Sequence, residues 1–222
     1  MRKATILGVL GLAGTLASPA FADEFSGWRL GAAIGQEEMQ GRLQYRGYFD
    51  DIEPNRLSYS FMGGWGLNRY LAVEVAYKDG GQFNADIESN GGFPTRRVVQ
   101  HTDINGFEGS IVGSYWITDK FSVFGRAGMF AWKGETTLAE DLDIDLDTPE
   151  PSRETFEDDG VEPFFGIGVQ TQLDGALVRL EYQMVETSDF HVANPASPTN
   201  NILDMVDTKM TSLNLSLVWI LH

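Results

Sequence analysis

The constraint that dominates this chain is an alternation of period two. After an apolar N-terminal stretch come eight segments, each about ten residues long, the length at which a tilted strand crosses a bilayer. The eighth is the cleanest: Leu213, Leu215, Leu217 and Trp219 oppose Ser212, Asn214 and Ser216. In the first, Trp28, Leu30, Ala32 and Ile34 oppose Arg29, Gly31, Ala33 and Gly35. In the third, Leu71, Val73, Val75 and Tyr77 oppose Ala72, Glu74, Ala76 and Lys78. Such alternation gives each strand one face for an apolar solvent and one for a polar interior. Beyond the N-terminus no run approaches the roughly 18 apolar residues of a transmembrane helix. The architecture that then satisfies every backbone group in lipid is a closed β-barrel.

The N-terminus supplies the export signal. Lys3-Ala4 leads into an apolar stretch from Ile6 to Leu16 and then into Ala20-Phe21-Ala22, a small-residue cleavage site. Residues 1–22 are expected to be a cleaved signal peptide and 23–222 a single outer-membrane barrel domain. The chain has no cysteine, which excludes a disulfide scaffold, a lipoprotein anchor and a thiolate metal site.

The links between segments fall into two classes that alternate. Leu67-Asn68-Arg69, Thr118-Asp119-Lys120 and Asp174-Gly175 are tight, whereas Glu37 to Arg56, Asp79 to Ile104, Lys133 to Glu162 and Thr187 to Thr208 read as long loops. All short turns therefore lie at one end, the asymmetry of outer-membrane barrels. A soluble lipocalin-like carrier also has eight up-and-down strands but needs its apolar face inside. Here the small and charged residues suit a narrow lumen and the bulky apolar rows suit the wider outer face.

Charge is sorted along the same axis. The four long links hold 24 of the 32 acidic residues and 7 of the 14 basic residues left after cleavage, a net charge of −17. The densest run includes Asp141, Asp143, Asp145 and Asp147. Carboxylates at this density match the oxygen ligands of Ca²⁺ or Mg²⁺, but the spacing is not that of an EF-hand. They are metal candidates by residue type alone, a solvated acidic loop is the plainer reading, and no cofactor is expected.

The polar faces carry Arg29, Glu74, Glu108, Arg126, Arg179 and Glu181, three of each sign. Charges inside a narrow barrel must pair, since an unpaired one in low dielectric costs several kcal/mol. An eight-stranded barrel is just wide enough for its own side chains. The expectation is a salt-bridged core that plugs the lumen; a small ion channel gated by the Glu74/Arg179 cluster is the alternative.

The segment Tyr115-Trp116-Ile117-Thr118-Asp119-Lys120, followed by Val123 through Trp132, resembles the corresponding turn and strand of OmpA-type transmembrane domains. Gly160-Val161-Glu162-Pro163, Gly166, Gly168 and Val169, then Arg179-Leu180-Glu181-Tyr182-Gln183, are similar to the next two strands, and Ser212-Leu213 with Ser216 and Trp219 to the last. The resemblance implies an eight-stranded outer-membrane barrel with an interior Glu/Arg/Lys cluster, Glu74, Arg126, Arg179 and Glu181 falling on matching positions. Two positions depart: the family's interior lysine falls on Val112 and a glutamate on Gln170. The family's lysine–glutamate pair is thus lost together at these two positions, which preserves neutrality and counts against a family-like gate rearrangement. Larger relatives of this type continue into a peptidoglycan-binding domain, whereas this sequence ends at His222, so the transmembrane domain alone is expected.

An enzyme must be weighed because some eight-stranded barrels modify lipid A. Ser188, Asp189 and His191 lie close in sequence, and His101 adjoins Thr102 and Asp103. Catalysis needs a nucleophile hydrogen-bonded to an oriented base, which adjacency does not supply, so no catalytic residue is assigned. The acidic balance argues against nucleic acid. The expected role is structural or surface-interacting, as a monomer in outer-membrane lipid and lipopolysaccharide. Arg42, Arg46, Arg56, Arg96 and Arg97 are the basic candidates for phosphate contact, and the acidic loops are placed to meet extracellular surface ligands.

Overall fold

The structure is a computed structural model that describes residues 25–45, 48–51, 56–89, 96–142, 152–186, 190–193 and 202–221. Ten strands run through it: β1 (Gly27–Tyr45), β2 (Tyr48–Asp51), β3 (Arg56–Gly66), β4 (Leu71–Ser89), β5 (Arg96–Trp116), β6 (Phe121–Leu142), β7 (Ser152–Leu173), β8 (Ala176–Glu186), β9 (Phe190–Ala193) and β10 (Ile202–Leu221). Eight of these form the barrel. The antiparallel order β1-β3-β4-β5-β6-β7-β8-β10 closes through a β1–β10 ladder that runs from Trp28 opposite Leu221 to Gln44 opposite Asp204. The short strands β2 and β9 pair with the upper ends of β1 and β10.

The predicted faces are the observed ones. Trp28, Leu30, Ile34, Phe61, Val75, Phe107, Ile111, Phe165, Ile167 and Leu215 are exposed on the outside, while Arg29, Glu74, Glu108, Arg126, Arg179 and Glu181 are buried inside. Apolar outside and charged inside is the polarity of a barrel solvated by lipid, not of a lipocalin-like carrier. Aromatic residues gather near the short-turn rim, where Trp28 and Trp65 meet edge to face at 5.1 Å and Tyr70 and Tyr115 are exposed. Their amphipathic rings suit that interface.

The three tight links fold as local chemistry dictates. Asn68 Oδ1 accepts hydrogen bonds from the backbone N–H of Tyr70 (2.8 Å) and Leu71 (3.0 Å). Thr118 Oγ1 does the same for Lys120 (3.3 Å) and Phe121 (3.0 Å). Asp174 and Gly175 both have positive φ, 33° and 83°, the backbone a two-residue hairpin turn needs to match strand twist.

The long links differ from expectation. The β5–β6 ladder continues to Arg96 opposite Leu142, and β6–β7 to Glu140 opposite Ser152, so much of 79–104 and 133–162 is strand. The apolar row ends there because the outward face meets water, while inward Thr102, Ile104 and Thr136 stay buried. Outward Asp103, Lys133, Glu135, Glu157 and Asp159 are solvated, and Lys133 pairs with Glu157 at 2.9 Å on the surface. Backbone pairing needs no apolar face once the ladder has been started below.

Inside, large side chains sit over glycines of the neighbouring strand. Phe124 lies against Gly168, Phe164 against Gly128, Trp132 against Gly160 and Glu181 against Gly166. The outward-facing Gly109 and Gly113 have nothing within 4 Å of where a Cβ would be. Glycine inside makes room for bulk that a narrow lumen could not otherwise hold.

Candidate functional site

The candidate site is the lumen, and its inward rows converge because every strand contributes one residue in two to it. Among the described residues eight charged side chains are buried: Arg29, Glu37, Glu74, Lys78, Glu108, Arg126, Arg179 and Glu181. Four are acidic and four basic, so the interior is formally neutral. The charges form two chains of contacts in which signs alternate.

The lower chain is Arg29–Glu74–Arg179. Arg179 Nη1 donates to both carboxylate oxygens of Glu74 at 2.9 Å, and Arg29 Nη1 lies 3.7 Å from Glu74 Oε1. Arg179 Nε donates to Gln170 Oε1 at 2.9 Å, and Gln170 Nε2 donates to Ser114 Oγ at 3.1 Å. The Arg179 guanidinium also stands 5.4 Å over the Phe124 ring, a cation–π contact strengthened by exclusion of water.

The upper chain is Glu37–Lys78–Glu108–Arg126–Glu181. Lys78 Nζ pairs with Glu37 and lies 3.7 Å from Glu108 Oε1. Arg126 Nη2 donates to Glu108 Oε2 at 2.9 Å, and Arg126 Nη1 lies 3.6 Å from Glu181 Oε2. Polar side chains fill in around these ions. Gln183 Nε2 donates to Glu108 Oε1 at 2.8 Å, Arg126 Nε to Ser110 Oγ at 2.9 Å, and Asn214 Nδ2 to Ser212 Oγ at 2.9 Å. The lower chain carries one excess positive charge and the upper one excess negative charge, so each neutralises the other.

Apolar side chains lie on both sides of these networks. At the short-turn end Phe25, Leu177, Val218 and Ile220 form one buried cluster with Trp116 packed against it. Toward the other mouth Ile104, Phe130, Trp132, Phe164 and Met210 are buried, together with the hydrogen-bonded hydroxyls of Thr102 and Thr136 (3.0 Å). The ions thus lie between two largely apolar layers.

With this geometry in view, a family model for the OmpA-like transmembrane domain matches residues 22–219. The chain belongs to that family. It is 29% identical over 194 residues to outer membrane protein P5 of Haemophilus influenzae, covering 82% of this chain and 51% of P5. The chain therefore spans about half the length of that curated relative. Among solved structures it is similar to the Neisserial surface protein A, at 9% identity and TM-score 0.50, over 88% of this chain and 98% of that one. It is also similar to OprG of Pseudomonas aeruginosa, at 11% identity and TM-score 0.49, over 90% and 100% of the two chains. As an OmpA-like barrel it resides in the outer membrane.

Within this OmpA-like lumen all six expected charged residues are buried and ion-paired. Two more join them. Glu37 stands at the start of a link that reads as a loop, and Lys78, although on the polar face of its segment, is not among the six expected interior charges. Both continue an inward row by parity, Glu37 after Arg29 and Gly35, Lys78 after Glu74 and Ala76, so the signal is present in the alternation. They add a lysine–glutamate pair at positions other than the two that depart from the family. Val112 is packed in an apolar cluster with Ala72 and Phe124, and Gln170 hydrogen-bonds Arg179, but Lys78 and Glu37 supply a lysine–glutamate pair from β4 and β1. A lumen charge needs a partner across the barrel, and several strands can deliver it to the same place.

Other expected residues lie elsewhere. Asp141 is on β6 opposite Arg97, while Asp143, Asp145 and Asp147 are outside the described residues. His101 is on β5 opposite Thr137 and His191 on β9 opposite Asp204; Ser188, Asp189 and His222 are outside the described residues. The expected signal peptide, 1–22, is outside them as well. Arg42, Arg96 and Arg97 stand on strands β1 and β5, Arg56 begins β3, and Arg46 is outside the described residues.

Proposed function

We propose that this protein is a structural and surface-interacting barrel of the outer membrane, with a lumen closed to ions at rest and no catalytic role. The observation that carries the reading is the enclosure of a neutral, ion-paired network between two apolar layers. Ions passing through would have to separate buried pairs and then cross dry rings, each costly in low dielectric. Cleavage after Ala22 would release 23–222 as the barrel, a monomer in lipid and lipopolysaccharide. The solvated acidic strand ends above the apolar band, Asp103, Glu135, Glu157 and Asp159 among them, are the surface offered to extracellular ligands.

Planar-bilayer recording on refolded protein that shows a heat-modifiable band tests this. The expected result is no unit conductance in the native chain. Regular steps in the native chain would overturn the closed-lumen reading.

One observation favours the alternative, a narrow channel gated at Glu74 and Arg179. Glu74 already lies between two arginines, Arg179 at 2.9 Å and Arg29 at 3.7 Å, so a change of partner needs only a small movement. Rare brief openings in the native chain that Arg179→Ala lengthens would support it.

A further inference from the structure

The short-turn mouth is closed by a residue that belongs to no strand. Phe25 precedes β1, yet its side chain is 1% exposed and packs in the cluster with Leu177, Val218 and Ile220. Its ring lies 4.6 Å from that of Trp116, and the Arg69 guanidinium stands 5.5 Å from its centroid and 5.0 Å from that of Trp116. Trp116 is fixed in turn by its Nε1–H, which donates to the Arg69 carbonyl at 2.6 Å. The backbone of Phe25 reaches the charges above: Arg29 Nη2 donates to the Phe25 carbonyl at 3.2 Å, while Nη1 of the same guanidinium faces Glu74 at 3.7 Å.

We infer that Phe25 is a stopper seated in the short-turn mouth, its carbonyl holding Arg29 back from full pairing with Glu74. Unseating Phe25 opens the lower lumen to water. It also frees Arg29 to compete with Arg179 for Glu74, so the position of Phe25 sets which arginine holds the carboxylate. No ladder bond is lost, because barrel pairing begins at Gly27 opposite Gly66 and Trp28 opposite Leu221. This deepens the closed-lumen reading and rests on it.

The cysteine-free chain allows a direct test. Ser216→Cys changes one atom type at a buried inward position opposite Arg179 on β8. In detergent micelles its modification by a water-soluble methanethiosulfonate is expected to be slow with Phe25 present and at least tenfold faster with Phe25→Ala. Phe25→Leu, which keeps an apolar plug, should stay slow. Heat-modifiability of each variant certifies the fold, and Arg69→Gln, which removes the cation flanking the plug, offers a milder second perturbation expected to give an intermediate rate. Equal rates in the Phe25 parent, the Phe25→Ala variant and the Arg69→Gln variant would overturn the stopper while leaving a non-conducting native barrel intact. Conductance by the native chain would instead overturn the closed-lumen reading itself.

Discussion

Arg179 on β8 and Glu74 on β4 meet across the lumen, one guanidinium nitrogen donating to both carboxylate oxygens at 2.9 Å. The two residues are 105 positions apart in sequence and almost fully buried. Glu74 is also the ionic partner of Arg29, so Glu74→Gln leaves two buried arginines without their carboxylate and is expected to destabilise the folded barrel by about 3–5 kcal/mol. Arg179→Met should cost much less, since Glu74 then keeps Arg29. Urea titration of the heat-modifiable band in micelles checks this; equal losses for the two variants would refute the pairing argument.

Lys78 holds the upper chain between Glu37 and Glu108. Lys78→Met leaves Glu37 without a cation among its described contacts and should lower stability by several kcal/mol, roughly the penalty of a buried unpaired ion. Adding Glu37→Gln should restore most of that loss, because Glu108 keeps Arg126. A double variant no more stable than Lys78→Met, by the same titration, would show that Glu37 is not the stranded group.

The glycines separate inside from outside. At Gly128 an added methyl would meet the Gly109 carbonyl and the Phe164 ring, whereas at Gly113 it meets nothing within 4 Å. Gly128→Ala is expected to cost on the order of 1–3 kcal/mol as overpacking, and Gly113→Ala to stay within about 0.5 kcal/mol of the native chain. Similar midpoints for the two variants would contradict the assignment of faces.

The apolar band makes a position-dependent prediction. Ile111 lies at the middle of the outward row that runs from Phe107 to Tyr115 on β5 and is well exposed. Ile111→Arg should destabilise the barrel by about 2–4 kcal/mol, the cost of a cation at the bilayer midplane. Asp103→Arg, on the same strand beyond the band, should be near neutral in refolding into lipid vesicles. A cost at Asp103 matching that at Ile111 would mean the band is misplaced.

Much of this is legible along the chain. The alternation of Leu213, Leu215, Leu217 and Trp219 with Ser212, Asn214 and Ser216 marks the strand and its two faces at once, because a strand's side-chain period is fixed by its backbone. The turns at Asn68, Thr118 and Asp174-Gly175 are visible for the same kind of reason, since each is set within a few residues. The upper reaches of β5, β6 and β7 are not, because outward Asp103, Lys133 and Glu135 meet water while inward Thr102 and Thr136 are themselves polar, so no apolar row marks a face.

Sequence by itself therefore determined that the chain forms a membrane barrel, how its faces are turned and where its tight turns fall. These are local properties, set by period, polarity and turn chemistry over a few residues. Tertiary structure alone decided which charge meets which: that Glu74 is held by Arg179 and approached by Arg29, that Lys78 and Glu37 provide the lumen's lysine–glutamate pair, and that Phe25 fills one mouth. Closure of the β1–β10 seam brings residues distant in sequence to within a few ångströms, and in a narrow lumen that proximity, not their place along the chain, selects the partner.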